Sequence, residues 1–191
     1  MLTHRFEEAL VFAARLHAGQ LRKKSEVPYL AHLLGVASLV LEAGGNEDEA
    51  IAGLLHDAVE DQGGLETLEA IRVRFGERVA TTVAGCTDSF DTPKPPWKER
   101  KQSFINSLQN ADAEIHRVAL ADKIYNARAT LRDIRREGDA AWKRFNGGKA
   151  GTLWYYQQLI PVFRNQGSTV FLEEFITLVN ELESISGERE I

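Results

Sequence analysis

The chain has a single cysteine, no long apolar run, and more acid than base: 28 aspartates and glutamates against 23 lysines and arginines, a formal charge of -5. One cysteine cannot form an internal disulfide. Cys86 stands at helical spacing from Val79 and Val83 and reads as a core residue, not a nucleophile. No window reaches the roughly 18 uninterrupted apolar residues that cross a bilayer; the most apolar stretch, YLAHLLGVASLVLEAGG, is broken by His32, Ser38 and Glu42. The first residues, LTHRFEEALVFAARLHAG, carry charges inside their apolar stretch and so lack the core of a secretory signal. A cytoplasmic location without membrane contact is the expectation. An acidic balance argues against a nucleic-acid partner, because duplex binders carry a net basic face. Local basic clusters remain, at Arg22-Lys23-Lys24 and at Lys98, Arg100 and Lys101. These are either solvated faces or the holders of a small phosphorylated ligand.

What is present describes a globular helical chain. With 191 residues, 43% hydrophobic and 27% charged, the sequence supports one core and one domain over 1–191. Apolar spacing near 3.6 recurs throughout, strand-like alternation does not, and the predicted class is an all-α bundle. Phe6, Ala9, Leu10, Ala13 and Leu16 line a first helix that Thr3 can cap and Gly19 can close. Pro28 is placed in the first turn of a second helix, with Leu30, Leu33, Ala37, Val40 and Leu41 on its face and His32 inside it. A third is predicted to run from Glu47 to Gly63 through HDAVED. Gly76 separates two shorter helices, TDSFDTPKPP is a loop, and a long helix from about Ala113 to Arg136 contains Asp122. Leu153, Tyr156, Ile160 and Phe163 continue the pattern with a bend expected at Pro161, and the segment from Phe171 to Ile185 ends it. The last helices cover about 149–187.

Chemistry is concentrated where polar residues interrupt these apolar faces. His56, Asp57, Glu60 and Asp61 sit within one helical segment, and a continuous helix would stack His56 over Glu60 and Asp57 over Asp61. His32 and Asp122 interrupt two other apolar runs. Buried carboxylates are costly unless paired or bound to a metal. Two histidines and two aspartates form a donor set suited to a hard or borderline divalent ion.

The ordered pattern His32, His56-Asp57, Asp122 resembles the HD superfamily of metal-dependent phosphohydrolases. HAGQLRKKSEVPYLAHLLGVA, LLHDAVED and LADKIYNAR are similar, more narrowly, to the hydrolase domain of the Rel/Spo family and of small stand-alone alarmone hydrolases. The shared motifs run from about His17 to Arg128. The resemblance implies one ion, manganese, held by His32, His56, Asp57 and Asp122, with Glu60 and Asp61 positioning or deprotonating the attacking water. It implies nucleotide contacts from Arg22, Lys23, Asn126 and Tyr29, and contacts to distal phosphates from Lys98, Lys101, Lys149 and Tyr155, while Trp154 and one tyrosine of its segment can equally be core. The implied reaction removes the 3′ diphosphate of guanosine 3′,5′-bis(diphosphate), or of an adenine analogue, as pyrophosphate. With the chain ending at residue 191, no synthetase activity is expected. The sequence departs from the family pattern at Leu33, Gln62, Ala119 and Ala129, and the stretch before Pro28 is one residue longer than in the long Rel enzymes. The alternatives are an HD phosphohydrolase for another phosphorylated metabolite and a non-catalytic nucleotide sensor.

Overall fold

The computed structural model describes residues 1–23, 25–91, 93–165 and 169–187; Lys24 and Thr92, which the sequence places in a basic cluster and a loop, lie outside the described residues. The regular structure is helical, as the periodicity predicts: α1 His4–Leu16, α2 Leu30–Glu42, α3 Glu47–Leu55, α4 Ala58–Asp61, α5 Gly64–Phe75, α6 Glu77–Cys86, α7 Trp97–Leu108, α8 Ala113–Glu137, a 3-10 segment Gly138–Arg144, α9 Gly148–Arg164 and α10 Val170–Gly187. Thr3 caps α1 by accepting from the Arg5 amide. No helix among the described residues is long and apolar enough to cross a membrane.

The long helix α8 organises the core. It packs against α2, α3, α6, α9 and α10, and its inner face carries Val118, Ile124, Leu131 and Ile134. They share one buried core with Leu33 and Val36 of α2, Ile51 and Leu54 of α3 and Phe175 and Leu182 of α10. Each such side chain contributes about 1.5–3 kcal/mol on leaving water. Asn46 and Glu49 form a reciprocal capping box at the start of α3. The buried Glu49 carboxylate also pairs with Arg117 of α8, which ties the start of α3 to the central helix.

Two helix boundaries differ from the sequence expectation, and both shape the site. Pro28 does not open α2. It lies in an isolated bridge with Leu21, and α2 starts at Leu30. Arg22 N donates to Val27 O at 2.9 Å and Tyr29 N to Gln20 O at 2.8 Å, so residues 20–29 form a loop pinned at its neck. The third helix likewise stops at Leu55 and resumes at Ala58 as α4, leaving His56 and Asp57 in the turn between them. The His56 ring supplies the reason. Its Nδ1–H donates to Gly53 O at 2.8 Å, the carbonyl that an unbroken helix would offer to the Asp57 amide.

Candidate metal centre

The interrupted helix aims the HD doublet at α2 and α8. His56 Nε2 stands 3.0 Å from Asp57 Oδ2 and 3.6 Å from Asp122 Oδ1. His32 Nε2 lies 3.3 Å from each of Asp57 Oδ2, Asp122 Oδ1 and His56 Nε2. Four donors from α2, the α3–α4 turn and α8 thus meet at one point. Both histidines are buried, and Asp122 is 7% exposed.

Those spacings test whether a divalent ion fits. Donors around a single ion at about 2.1 Å lie about 3.0–3.5 Å apart, and the four histidine–aspartate distances here are 3.0, 3.3, 3.3 and 3.6 Å. With Nδ1–H of His56 committed to a carbonyl, the neutral ring turns its Nε2 lone pair toward His32. His32, His56 and Asp57 offer donor atoms within 4.8 Å of one another, and Asp122 Oδ1 lies 3.3 Å from His32 Nε2; so buried a set of donors calls for a cation, and the residues fit a divalent metal. When the cluster lacks metal, a proton fills that need. Burial opposes the charged form of His56, but Asp57 and Asp122 outweigh it and hold the ring well above its usual pKa. Burial likewise works against ionised Asp57 and Asp122; for Asp57 the two histidines prevail, and for Asp122 Lys123 leads them, so both carboxyls lie well below the usual range.

Neighbouring side chains fix the donors in place. The Tyr29 hydroxyl donates to Asp57 Oδ2 at 2.6 Å, and its ring packs edge-on to His32 with centroids 5.4 Å apart. Burial and then the Asp57 charge raise the Tyr29 pKa, so the phenol stays a donor. Asn126, one turn beyond Asp122, donates to Asp122 Oδ1 at 2.5 Å and accepts from Arg22 Nη2 at 2.7 Å. Arg22 in turn lies 5.7 Å from the Tyr29 ring and 5.9 Å from that of Tyr125. The pinned loop therefore reaches the donor cluster through a short chain, Asp122 to Asn126 to Arg22. Lys23 is exposed near the tip of that loop.

Glu60 and Asp61 lie on α4 one turn beyond the HD doublet, where the Asp61 amide donates to Asp57 O at 3.0 Å, and their side chains take different partners. Glu60 Oε1 accepts from Lys94 at 2.8 Å, and burial followed by the Asp88 charge raises its pKa. Asp61 is exposed and accepts from Gln20 at 2.8 Å. On the far flank, Lys101 lies 5.1 Å from the Tyr155 ring and bonds Asp88 at 2.7 Å. Tyr155 is buried, and its hydroxyl has no partner among the described residues. Lys98 lies over Trp154 at 5.3 Å, and Lys149 is half-buried in the first turn of α9. Trp154 is half-buried against the core, and both Tyr155 and Tyr156 are in it. Cys86, as read from the sequence, is no nucleophile: burial pushes its thiol up to about 12.

Sequence reasoning missed three contributors. Lys123 donates to Asp122 Oδ2 and sits 5.8 Å from the Tyr155 ring. Asp122 outweighs the burial that would otherwise discharge it. Its signal was a second charge inside the apolar run VALADKIYNA. Tyr125 packs on His32 at 5.0 Å, and Asp88 holds Arg100 and Lys101. Neither stands out from its local sequence.

The HD domain model matches residues 9–153. The guanosine-3′,5′-bis(diphosphate) 3′-pyrophosphohydrolase MESH1 of Xenopus tropicalis is 40% identical over 138 residues, covering 71% of this chain and 72% of that protein. The human protein of the same name is 38% identical over 138 residues, with the same coverage. A solved structure described as a metazoan ortholog of SpoT that hydrolyzes ppGpp superimposes with a TM-score of 0.74 at 27% identity, over 100% of this chain and 98% of that one. Helical fold, converging donors and matched sequence lead to one conclusion: the chain belongs to the HD domain family.

Proposed function

We propose that the chain hydrolyses guanosine 3′,5′-bis(diphosphate) to GDP and pyrophosphate, and the corresponding pentaphosphate to GTP and pyrophosphate. The observation that carries this reading is the hydrogen-bonded chain from Asp122 through Asn126 to Arg22, at 2.5 and 2.7 Å, which joins the donor cluster to the basic loop. A phosphohydrolase without nucleotide selectivity has no need of that loop. The relatives named for this activity supply independent support.

In this reading His32, His56, Asp57 and Asp122 hold one manganese ion. A divalent ion supplies Lewis acidity, acidifying water and drawing charge from phosphoryl oxygens. The chain's own groups do the rest. Glu60, with its raised pKa, accepts the proton of the attacking water, and Asp61 orients that water. Attack at the phosphorus bonded to the 3′ oxygen breaks that bond, and the 3′ oxygen leaves and is protonated. Arg22 presents a planar cation to the base or a phosphate, already held by Asn126 and flanked by Tyr29 and Tyr125. Asn126 and Tyr29 line the nucleotide side with Lys23, while Lys101, Lys98, Lys149 and the unpartnered Tyr155 hydroxyl serve the distal phosphates. An acidic, cytoplasmic enzyme acting on a free nucleotide, not on nucleic acid, is consistent with the charge of -5.

The test is pyrophosphate release from the guanosine compound and its adenosine analogue by manganese-loaded protein. Release from the guanosine compound is expected, with Asp57→Ala losing both metal and activity. Glu60→Ala is expected to keep its metal while turnover falls by about 100-fold or more. No release from either substrate contradicts the reading, and loss of metal from Glu60→Ala contradicts the division of roles.

A further inference from the structure

Beside the metal centre, α4, the loop after α6 and the first turns of α7 enclose a second charged cluster. Asp88, whose side chain is only 4% exposed, accepts from Arg100 Nη1 on both oxygens, at 2.7 and 2.6 Å, and from Lys101 Nζ at 2.7 Å. The same Arg100 Nη1 stands 3.9 Å from Glu60 Oε1, which Lys94 holds at 2.8 Å. Two carboxyls thus compete for one guanidinium, whose Nε is held by Pro95 O at 3.1 Å and whose Nη1 bonds Asp88. If Asp88 lost its charge, Arg100 would need to move only about 1 Å to bond Glu60 directly.

We propose that Asp88 is a positioning residue for the reaction: by binding Arg100 itself, it keeps that guanidinium off Glu60 and preserves Glu60 as a base for the attacking water. The inference rests on Glu60 being that base. The charged groups facing Glu60 are Asp88, Lys94, Asp57 and Arg100. Burial and Asp88 raise its pKa, Lys94 opposes them, and Asp57 adds a smaller upward push. Asp88 itself stays ionised because Lys101 and Arg100 outweigh its burial. The pair follows a general pattern in which adjacent carboxyls are driven apart in acidity, one charged and one suited to proton transfer.

The test is the pH profile of kcat for pyrophosphate release, at saturating manganese with bound metal measured at each pH. Removing the Asp88 charge lowers the pKa of Glu60, so Asp88→Asn should move the acid limb to lower pH. Its plateau kcat should fall about tenfold. Removing the nearby cation acts oppositely, so Arg100→Met should move the acid limb to higher pH. The double variant should recover most of the lost plateau rate, since no guanidinium is left to capture Glu60. A drop in rate with both limbs unmoved overturns the proposal and leaves Asp88 a loop anchor. Should Asp88→Asn fail to fold, Arg100→Met decides alone, and an acid limb unmoved or shifted downward counts against the proposal. If Glu60→Gln retains turnover, the assignment of the base fails. If Glu60→Gln is inactive while the Asp88 and Arg100 variants keep the wild-type profile, only the role of Asp88 fails.

Discussion

His56 has two functions on one ring. Its Nδ1–H donates to Gly53 O at 2.8 Å, ending α3, and this leaves Nε2 facing Asp57 and Asp122. In the metal-free protein the two carboxylates raise its pKa against the effect of burial. A histidine raised in the folded state stabilises the fold below its unfolded pKa of about 6.5, and that stabilisation is lost as pH rises through the folded value. Metal needs the neutral ring, so metal and proton compete. The rise in Tm caused by manganese should therefore grow as pH increases from about 6.5, with the chelated protein losing stability over the same interval. Thermal unfolding with manganese and with chelator checks this, and an increment constant across that interval would refute it. His32, His56, Asp57 and Asp122, which the structure brings close together, stand out in the sequence because each interrupts an apolar run that a helix has no reason to break. Their hydrogen-bonded supports do not: Tyr29, at a helix start, gives no sign that its hydroxyl reaches Asp57, a residue 28 positions away.

At the scale of elements, three joints set the site: the α3–α4 break, the pinned loop 20–29, and the close approach of α2 to α8. The third depends on Gly35. A Cβ added there would lie 2.0 Å from Cε2 of Tyr125, whose ring packs on His32 with centroids 5.0 Å apart and flanks Arg22 at 5.9 Å. Gly35→Ala must therefore displace a ring that packs on His32 and flanks Arg22 of the basic loop. A loss of about 1–3 kcal/mol in stability is expected, typical of overpacking, together with a raised KM. Denaturant unfolding and substrate titration check the two, and a wild-type KM would show that Tyr125 does not support the nucleotide side. Most helices were legible because their apolar faces repeat at 3.6, and Gly76 marked the break between α5 and α6. The break at His56-Asp57 was not. AIAGLLHDAV keeps its helical spacing straight through the turn, and the interruption comes from a side chain bonding a carbonyl three residues back.

In the whole molecule, the cations near the donor cluster are mostly matched by carboxylates: Lys94 pairs with Glu60, Arg100 and Lys101 with Asp88, and Lys123 with Asp122. Arg22 is held by the neutral Asn126 instead. One such cation in a chain of formal charge -5 suits a small anion and does not suit a nucleic-acid surface. The all-α class was legible from periodicity alone. The central place of α8 was not, since a periodic face shows that a helix is buried without showing what buries it. The same limit hid Lys123 and Asp88, whose partners come from other helices. The central claim is that water attacks the 3′ diphosphate at the phosphorus bonded to the ribose oxygen. Its most direct test is turnover of guanosine 3′,5′-bis(diphosphate) by the manganese-loaded protein in water enriched in oxygen-18, with both products analysed by mass. The account predicts one labelled oxygen in pyrophosphate and none in GDP; label in the GDP ribose, or no turnover at all, would contradict it.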